Sequence, residues 1–300
     1  MSDSLDVAVA MPVRRAERTI RATIDSLLAQ CRGLSCQIVV AVSAEDPTRE
    51  LLHNFSSPNL RIITAPGKWG VPQLRRDAVS ATEADLVVIV EDNCLFPDGW
   101  LSGLVECSRR SGASVCGGPV RNGRRTLVGW AQYFTRYTTF LPPMAEGETP
   151  GLPGNNAIYT RAILRENADL LQEGFWEAEF NRELIRRGHR LWMCPDLAVE
   201  QRQHRGAFEY IPLRYRHGRC YGARRVRVAS PELLRKLWTR APLIPAVLFG
   251  RSVRAVLRRR SHRMLFAIVS PLVLIHILAW AAGEIVGYAL GAGCSCVETD

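Results

Sequence analysis

Residues 86–100 read LVVIVEDNCLFPDGW, and the fold turns on where that apolar run stops. Leu86 to Val90 are apolar and mostly β-branched, and Glu91-Asp92-Asn93 end them abruptly. A short run of this kind, bounded by polar residues, is the pattern of a strand covered on both faces. Acids at the carboxyl end of such a strand stand where open α/β sheets bind their ligands. By itself the stretch leaves two readings, a metal and nucleotide site or the polar end of a strand.

The flanking sequence repeats the pattern. Residues 7–11 form a short apolar strand before Pro12, and in AERTIRATIDSLLAQC the residues Ile20, Ile24, Leu27 and Leu28 share one helical face. Residues 37–42 and 60–64 read as two more buried strands, the first followed by a turn at Ala44-Glu45-Asp46-Pro47. Pro72 opens a helix over residues 71–81. Beyond the quoted stretch come a helix over 97–109, a strand and turn over 115–119, and a Pro- and Gly-rich loop over 141–153. A helix over 177–187 stops before Gly188. Strands alternating with helices predict an α/β layer around a largely parallel sheet.

Three hundred residues suffice for one large domain or two smaller ones. The net charge of +10 is unevenly placed. Residues 201–263 carry 17 Lys and Arg against 2 acids, a local +15, while residues 1–200 are at −2 and residues 264–300 at −3. Nucleic-acid binding would account for that basic segment but not for the apolar helix that follows it, so no nucleic-acid partner is expected. Nine cysteines, with no C-x-x-C pair and no histidine at zinc spacing, read as reduced and mostly buried thiols. Cys294 and Cys296 read as an idle pair or as acylation sites beside a membrane. The opening MSDSLDVAVAMPV has acids where a signal peptide needs bases, which predicts a cytoplasmic location for the first 200 residues.

The tail differs in kind. Residues 264–283 carry a single titratable side chain, His276. At ~1.5 Å per residue such a helix covers ~30 Å, the hydrocarbon core of a bilayer. The preceding RSVRAVLRRRSHR makes a positive-inside arrangement, with the earlier residues on the cytoplasmic face. Residues 241–250 are too short to span and can lie in the interface with the basic segment.

Taken in order, these pieces resemble family 2 glycosyltransferases with the GT-A fold over roughly residues 5–230. VAVAMPVRRAERTIRATIDSLLAQ is similar to that family's first strand, its proline (Pro12) and its first helix, and QIVVAVSAEDPTREL to the second strand and acidic turn. LRRDAVSATEADLVVIVEDNCLFPDGWL resembles the arginine-bearing helix, the next strand, the D-x-D position and the proline-tryptophan stretch. GNNAIY and GFWEAEFNRELIRRGHRL resemble the acceptor-side segment and the helix of the catalytic base. The C-terminal helix after a basic stretch resembles the membrane-attached subgroup. The resemblance implies a GT-A nucleotide-diphospho-sugar transferase domain (a mixed, mostly parallel sheet flanked by helices) over 1–230, plus C-terminal membrane-associated helices. A basic juxtamembrane segment over 231–263, a transmembrane or membrane-embedded helix over 264–293 and a tail over 294–300 complete the expected organisation.

The resemblance also implies site residues. Glu91, Asp92 and Asn93 occupy the D-x-D region, where Glu91 and Asp92 would bind the donor. Asp92 and Asn93, with His204, would hold a weakly bound Mg²⁺ or Mn²⁺, because hard cations take oxygen ligands. Asn93 keeps the oxygen and loses the charge. The family's base-reading acid falls near Ala41-Val42, which cannot serve, leaving Glu45 and Asp46 as the nearby acids. Arg75 or Arg76 matches the donor-side arginine, and Arg219, Arg224 and Arg225 are candidates to clamp the diphosphate. Asn156, Trp176 and Glu179 are placed toward the acceptor.

The base is expected to be Glu177, the residue eleven positions before Gly188, with Trp176 where the family has a first acid. Glu179 is the runner-up. The implied activity is inverting transfer of a sugar from a nucleotide-diphosphate donor to a hydroxyl of a lipid-linked or envelope glycan, at the membrane. The alternative is a catalytically inactive scaffold that keeps the fold.

Overall fold

The computed structural model describes residues 6–202 and 205–298. In chain order the elements are β1 (Val7–Val13), α1 (Ile20–Gln30), β2 (Cys36–Ser43), α2 (Thr48–Leu52), β3 (Leu60–Ala65), α3 (Val71–Ser80), β4 (Leu86–Val90), β5 (Cys94–Leu95) and α4 (Trp100–Ser111). They continue with β6 (Val115–Gly117), β7 (Val120–Asn122), α5 (Leu127–Arg136), β8 (Gly147–Glu148), β9 (Asn156–Thr160), α6 (Arg161–Glu166), α7 (Glu177–Arg186), β10 (Leu191–Met193) and β11 (Val199–Gln201). The last part is helical: α8 (Ala207–Arg227), α9 (Pro231–Arg240), α10 (Ile244–Arg259), α11 (Arg263–Leu290) and α12 (Ser295–Glu298). The chain divides into one unit of residues 1–123 and 142–202 and a second of residues 124–141 and 203–300, so position 230, the expected boundary, falls inside the second.

The first unit is built on an eight-stranded sheet in the order β3-β2-β1-β4-β9-β6-β10-β8 and a small sheet in the order β5-β11-β7. Strands β3, β2, β1 and β4 run parallel, and β9 turns the sheet antiparallel on both of its sides. Every residue of β1 is buried, as are Val87 to Val90 of β4. That burial is the reason these strands are continuous apolar runs rather than alternating ones. Pro12 lies inside β1 rather than after it. It sits beyond Ala10↔Ile89, the last pairing with β4, where β1 needs no further amide hydrogen on that side. On α1 the buried face is Ile20, Thr23, Ile24, Leu27 and Gln30, with Leu28 only half-buried. Helix α4 begins at Trp100 rather than at 97, because Gly99 in the left-handed region (φ 75°) sets its start.

The cysteines correct the expectation of scattered thiols. Cys31 and Cys36, Cys107 and Cys194, and Cys220 and Cys296 pair as disulfides, each within one of the two units. Cys296 is therefore not idle. Cys94 and Cys116, both buried, and the exposed Cys294 take no part in these disulfides. The Cys116 sulfur lies among those of Cys107 and Cys194, within 4.8 Å of both, beside the Ser111 hydroxyl. Burial pushes the Cys116 thiol up from its ordinary value.

In the second unit, α8 and α11 touch backbone to backbone through four glycines. Gly218 meets the carbonyl of Trp280 and Gly222 that of Glu284, while Gly283 meets the carbonyl of Tyr215 and Gly287 that of Arg219. Each helix places its glycines four apart, one turn, so any side chain there would collide with the opposing backbone. Glu284, buried at this contact, accepts hydrogen bonds from Arg225 Nη1 (2.7 Å), Trp280 Nε1 (3.0 Å) and the Tyr288 hydroxyl.

Candidate active site

The sheet order reverses direction between β1 and β4, since β2 and β3 lie to one side of β1 and β4 to the other. A crevice at the carboxyl ends of two such strands is where open α/β sheets take ligands. The loop leaving β1 crosses this crevice on a set of acceptors. The amide of Arg14 donates to Asp92 Oδ2 (2.7 Å), that of Arg15 to Asp46 Oδ2 (3.0 Å), and that of Ala16 to Thr48 Oγ1 (2.9 Å). Arg15 adopts a left-handed backbone there (φ 47°), held by these bonds. Asp92 is thus tied to the loop after β1, and its own carbonyl accepts from Thr23 Oγ1 (3.0 Å).

Helix α3 and the segment before α7 are stitched together. The Phe175 amide donates to the Pro72 carbonyl (2.7 Å), Gln73 Nε2 to the Glu173 carbonyl (3.1 Å), and Arg76 Nη1 to the Gln172 carbonyl (3.0 Å). Gly174 (φ 119°) lets this segment pass against the Pro72 backbone, a close approach that a side chain would block. Within the stitch sits Arg75, only 2 % exposed. Its Nη1 is paired with Glu177 Oε2, its Nη2 lies 3.8 Å from Glu91 Oε1, and Nη1 also reaches the Phe175 carbonyl at 3.4 Å. One buried guanidinium therefore stands between the acid at the end of β4 and the acid at the start of α7. A planar, permanently charged fork is suited to two carboxylates at once.

Helix α7 is seated by aromatic packing. Tyr159 of β9 meets the rings of Phe175 and Phe180, with centroids 5.4 and 5.9 Å away, and its hydroxyl donates to Asn181 Oδ1 (3.0 Å). Burial raises the Tyr159 hydroxyl well above its ordinary value, against the opposing effect of the Asn181 bond, so it stays a neutral donor. At the far end of α7, Arg187 bonds Asn167 Oδ1, Asp169 Oδ2 and Glu183 Oε1 at 2.6, 3.0 and 3.0 Å. Hydrogen bonds from Arg186 and then Arg187 hold the Glu183 carboxyl at about 2. Glu177 opens the helix, where a carboxylate also suits the positive end of the peptide dipoles.

Gly154 is a site residue that sequence reasoning passed over. A Cβ on it would overlap Cγ, Cδ and Oε1 of Glu177. The signal was available in GNNAIY, where a glycine precedes two buried asparagines. Gly154→Ala is expected to displace the Glu177 carboxylate, and to lower by up to ~10²-fold any turnover that depends on that carboxylate's position. Melting temperature should fall less than for loss of Arg75 itself, since Arg75 keeps its contact with Glu91. A variant of normal turnover would show that the carboxylate position is unimportant.

The remaining residues are placed as follows. Asn156 is fully buried, receives Trp100 Nε1 (2.9 Å), and donates to the carbonyls of Pro119 (3.0 Å) and Leu197 (2.7 Å). Its amide joins framework segments, which corrects the expectation that it lines an acceptor pocket. Asp46 spends its carboxylate on the amides of Arg15 and Thr48, whereas Glu45 is exposed and pairs with Lys68 (3.4 Å). Trp176 is the half-buried residue before α7, and Glu179, also half-buried, lies two positions into the helix. Arg76 stacks on Trp69 and bonds Asp77 Oδ1 (2.9 Å), so of the two candidate arginines it is Arg75 that meets the site acids. Arg219 and Arg224 belong to the second unit. Arg219 Nε donates to the Gly291 carbonyl (2.9 Å) at the end of α11, and Arg225 is taken by Glu284. His204 lies outside the described residues.

For a divalent cation, Glu91 is engaged by Arg75, and the half-buried Asp92, whose Oδ2 also accepts from the Arg14 amide, and Asn93 supply the other side-chain oxygens at the end of β4. An all-oxygen set of one carboxylate and one amide fits a hard cation chemically, with little charge of its own to hold it.

Comparison with known proteins agrees with this architecture. The model of the glycosyl transferase family 2 matches residues 8–167. Among solved structures, TarS 1–349 of S. aureus in complex with UDP-GlcNAc is similar at 16 % identity over 94 % of this chain and 91 % of that one, with a TM-score of 0.54. The mannosyltransferase PcManGT from Pyrobaculum calidifontis, in complex with GDP-Man and Mn²⁺, is similar at 16 % identity over 95 % and 88 %, with a TM-score of 0.56. GalNAc-T7 with UDP, GalNAc and Mn²⁺ aligns over 68 % of this chain and 45 % of that chain at 11 % identity and a TM-score of 0.52. No curated protein sequence matches the chain. At such identities the structural likeness establishes the GT-A fold, while the family match covers more than half of the sequence, and the chain belongs to glycosyl transferase family 2.

Proposed function

We propose that this glycosyltransferase works by inversion, moving one sugar from a nucleoside-diphosphate donor to a hydroxyl of a lipid-linked or envelope glycan, with Glu177 as the base. The observation that carries the reading is the buried Arg75, which holds Glu177 and Glu91 on one guanidinium. A single displacement needs one carboxylate to take the proton of the attacking hydroxyl. Glu177 is partly exposed at its helix start, with its carboxylate directed by Arg75 and given room by Gly154. Glu179 has no such brace from Arg75, and a residue two positions on points ~200° around the helix.

Similar structures with UDP-GlcNAc, GDP-Man and Mn²⁺ support a nucleotide-sugar donor and a divalent cation here. Asp92 and Asn93 would hold the cation, which when bound would neutralise charge on the donor diphosphate. With Asn93 uncharged, the ion would depend on the donor for most of its binding. Asn93→Asp is therefore expected to tighten Mn²⁺ binding measured by calorimetry without nucleotide. An unchanged affinity would place the cation elsewhere.

The catalytic reading itself is tested by thermal shift and turnover over a panel of nucleotide sugars, with Mg²⁺ or Mn²⁺. One donor should raise the melting temperature and be consumed when an acceptor lipid is supplied. Binding without turnover across all acceptors would favour the scaffold alternative. The membrane as the site of action is proposed from α11, 28 residues long and apolar enough to cross a bilayer by length and composition. The basic stretch before it would draw this part of the chain to anionic lipid.

A further inference from the structure

We propose that α11 lies along the membrane surface rather than across the bilayer, and that it docks the second unit as an in-plane apolar ridge flanked by arginines. The proposal rests on the membrane-associated reading above and concerns only how that association is made.

Helix α11 has two faces of opposite fate. One is buried along its length by other helices of the unit. Phe266 packs on Phe134 of α5 and Phe249 of α10, His276 meets Thr135 of α5 and Tyr210 of α8, and Trp280 lies under the guanidinium of Arg214. Then come the four-glycine contact and Arg219 at the Gly291 carbonyl. The other face leaves Met264, Ile268, Leu274, Ile275, Leu278 and Leu290 exposed, with no titratable side chain among its exposed residues beyond Arg263. Met264, Ile268, Pro271, Ile275, Leu278 and Ala282, all exposed, recur every three to four residues and make one stripe along the helix.

A helix that crossed the bilayer would carry α8 with it, because the two backbones are in direct contact. Helix α8 bears Arg214, Arg216, Arg219, Arg224, Arg225 and Arg227. Six arginines at hydrocarbon depth are costly, and the buried Glu284 uses Arg225 alone as its cationic partner among its hydrogen bonds. An in-plane position needs only the exposed stripe to enter the acyl boundary. The neighbouring helices carry the same chemistry. On α9 and α10, exposed Leu233, Trp238, Val247 and Leu257 are interspersed with exposed Arg235, Lys236, Arg251, Arg254 and Arg258. Interleaved leucine, tryptophan and arginine is the composition of helices lying at an interface, and the cations complement anionic headgroups. The occupant of this face is accordingly an anionic lipid surface.

The test uses the full chain with a short epitope at each end, expressed in a bacterial host. Protease is added to sealed inside-out vesicles, and the purified protein is sedimented with phosphatidylglycerol–phosphatidylcholine vesicles. Both epitopes should be cleaved on the same face, and the protein should sediment with anionic vesicles. The double variant Leu274→Asp and Leu278→Asp, at exposed positions, should lose vesicle binding by about tenfold or more with an unchanged melting temperature. Epitopes on opposite faces would overturn the in-plane position while leaving membrane association intact. Failure to sediment with any vesicle would overturn the proposal together with the membrane reading. A detergent-free dimer crosslinked through a cysteine introduced at Leu278 would assign the stripe to a second copy instead, and equally sink it.

Discussion

Glu177→Gln is expected to lower turnover by ~10²-fold or more while leaving donor affinity near that of the unchanged protein. The substitution preserves size and the ability to accept one hydrogen bond from Arg75, and it removes the basicity that an attacking hydroxyl requires. A loss confined to kcat would mark an interaction made in the transition state, whereas a rise in KM alone would mark ground-state binding. Glu179→Gln serves as the comparison, since it changes the same charge at the same helix end without touching Arg75. If Glu179→Gln is inactive and Glu177→Gln is not, the base is two residues further on. Two active variants would mean that neither acid takes the proton.

Arg75→Met is expected to be the most destabilising of these changes, by about 3–5 kcal/mol, the usual cost of removing one member of a buried ionic group. Methionine fills a similar volume, so the loss would come from charge rather than from a cavity. It strands Glu91, which is 8 % exposed, and releases Glu177 from the stitch between α3 and the 172–177 segment. Adding Glu91→Gln to Arg75→Met should restore part of the stability, because the stranded charge is gone, but it should not restore turnover. That split separates the two roles of Arg75, neutralising Glu91 and directing Glu177. Arg75→Lys keeps the charge and loses the fork, and should fall between the parent and Arg75→Met in both stability and rate. Thermal melting of the four proteins with and without donor measures this. A parent-like melting temperature for Arg75→Met would show the cluster to be energetically unimportant.

Much of the frame was legible because it is written in local periodicity. Leu86–Val90 has the bounds expected from its apolar run, and α7 opens at Glu177, the start expected for that helix. Residues 71–81 deviate from α3 by a single position. These features depend on neighbours within a turn or a pleat. The sequence by itself therefore determined the strand and helix order over residues 7–109, the family, the acidic end of β4, and the concentration of positive charge in residues 201–263.

What it could not determine are the meetings of distant residues. Arg75 reads as a donor-side arginine or a solvated helix position, and only the sheet order brings it to an acid 102 residues away. Asn156 looks like a pocket residue until Trp100 and the carbonyls of Pro119 and Leu197 surround it. The cysteines carry no pairing signal, yet Cys107–Cys194 and Cys220–Cys296 close over separations of 87 and 76 residues. Helix α11 reads as a span on composition, while its packing shows one face already occupied by the basic α8. In each case the deciding fact is which surface a side chain is pressed against. Burial converts a guanidinium from a solvated charge into the partner of two carboxylates, and glycine into a backbone contact, and only the tertiary structure says what is buried against what.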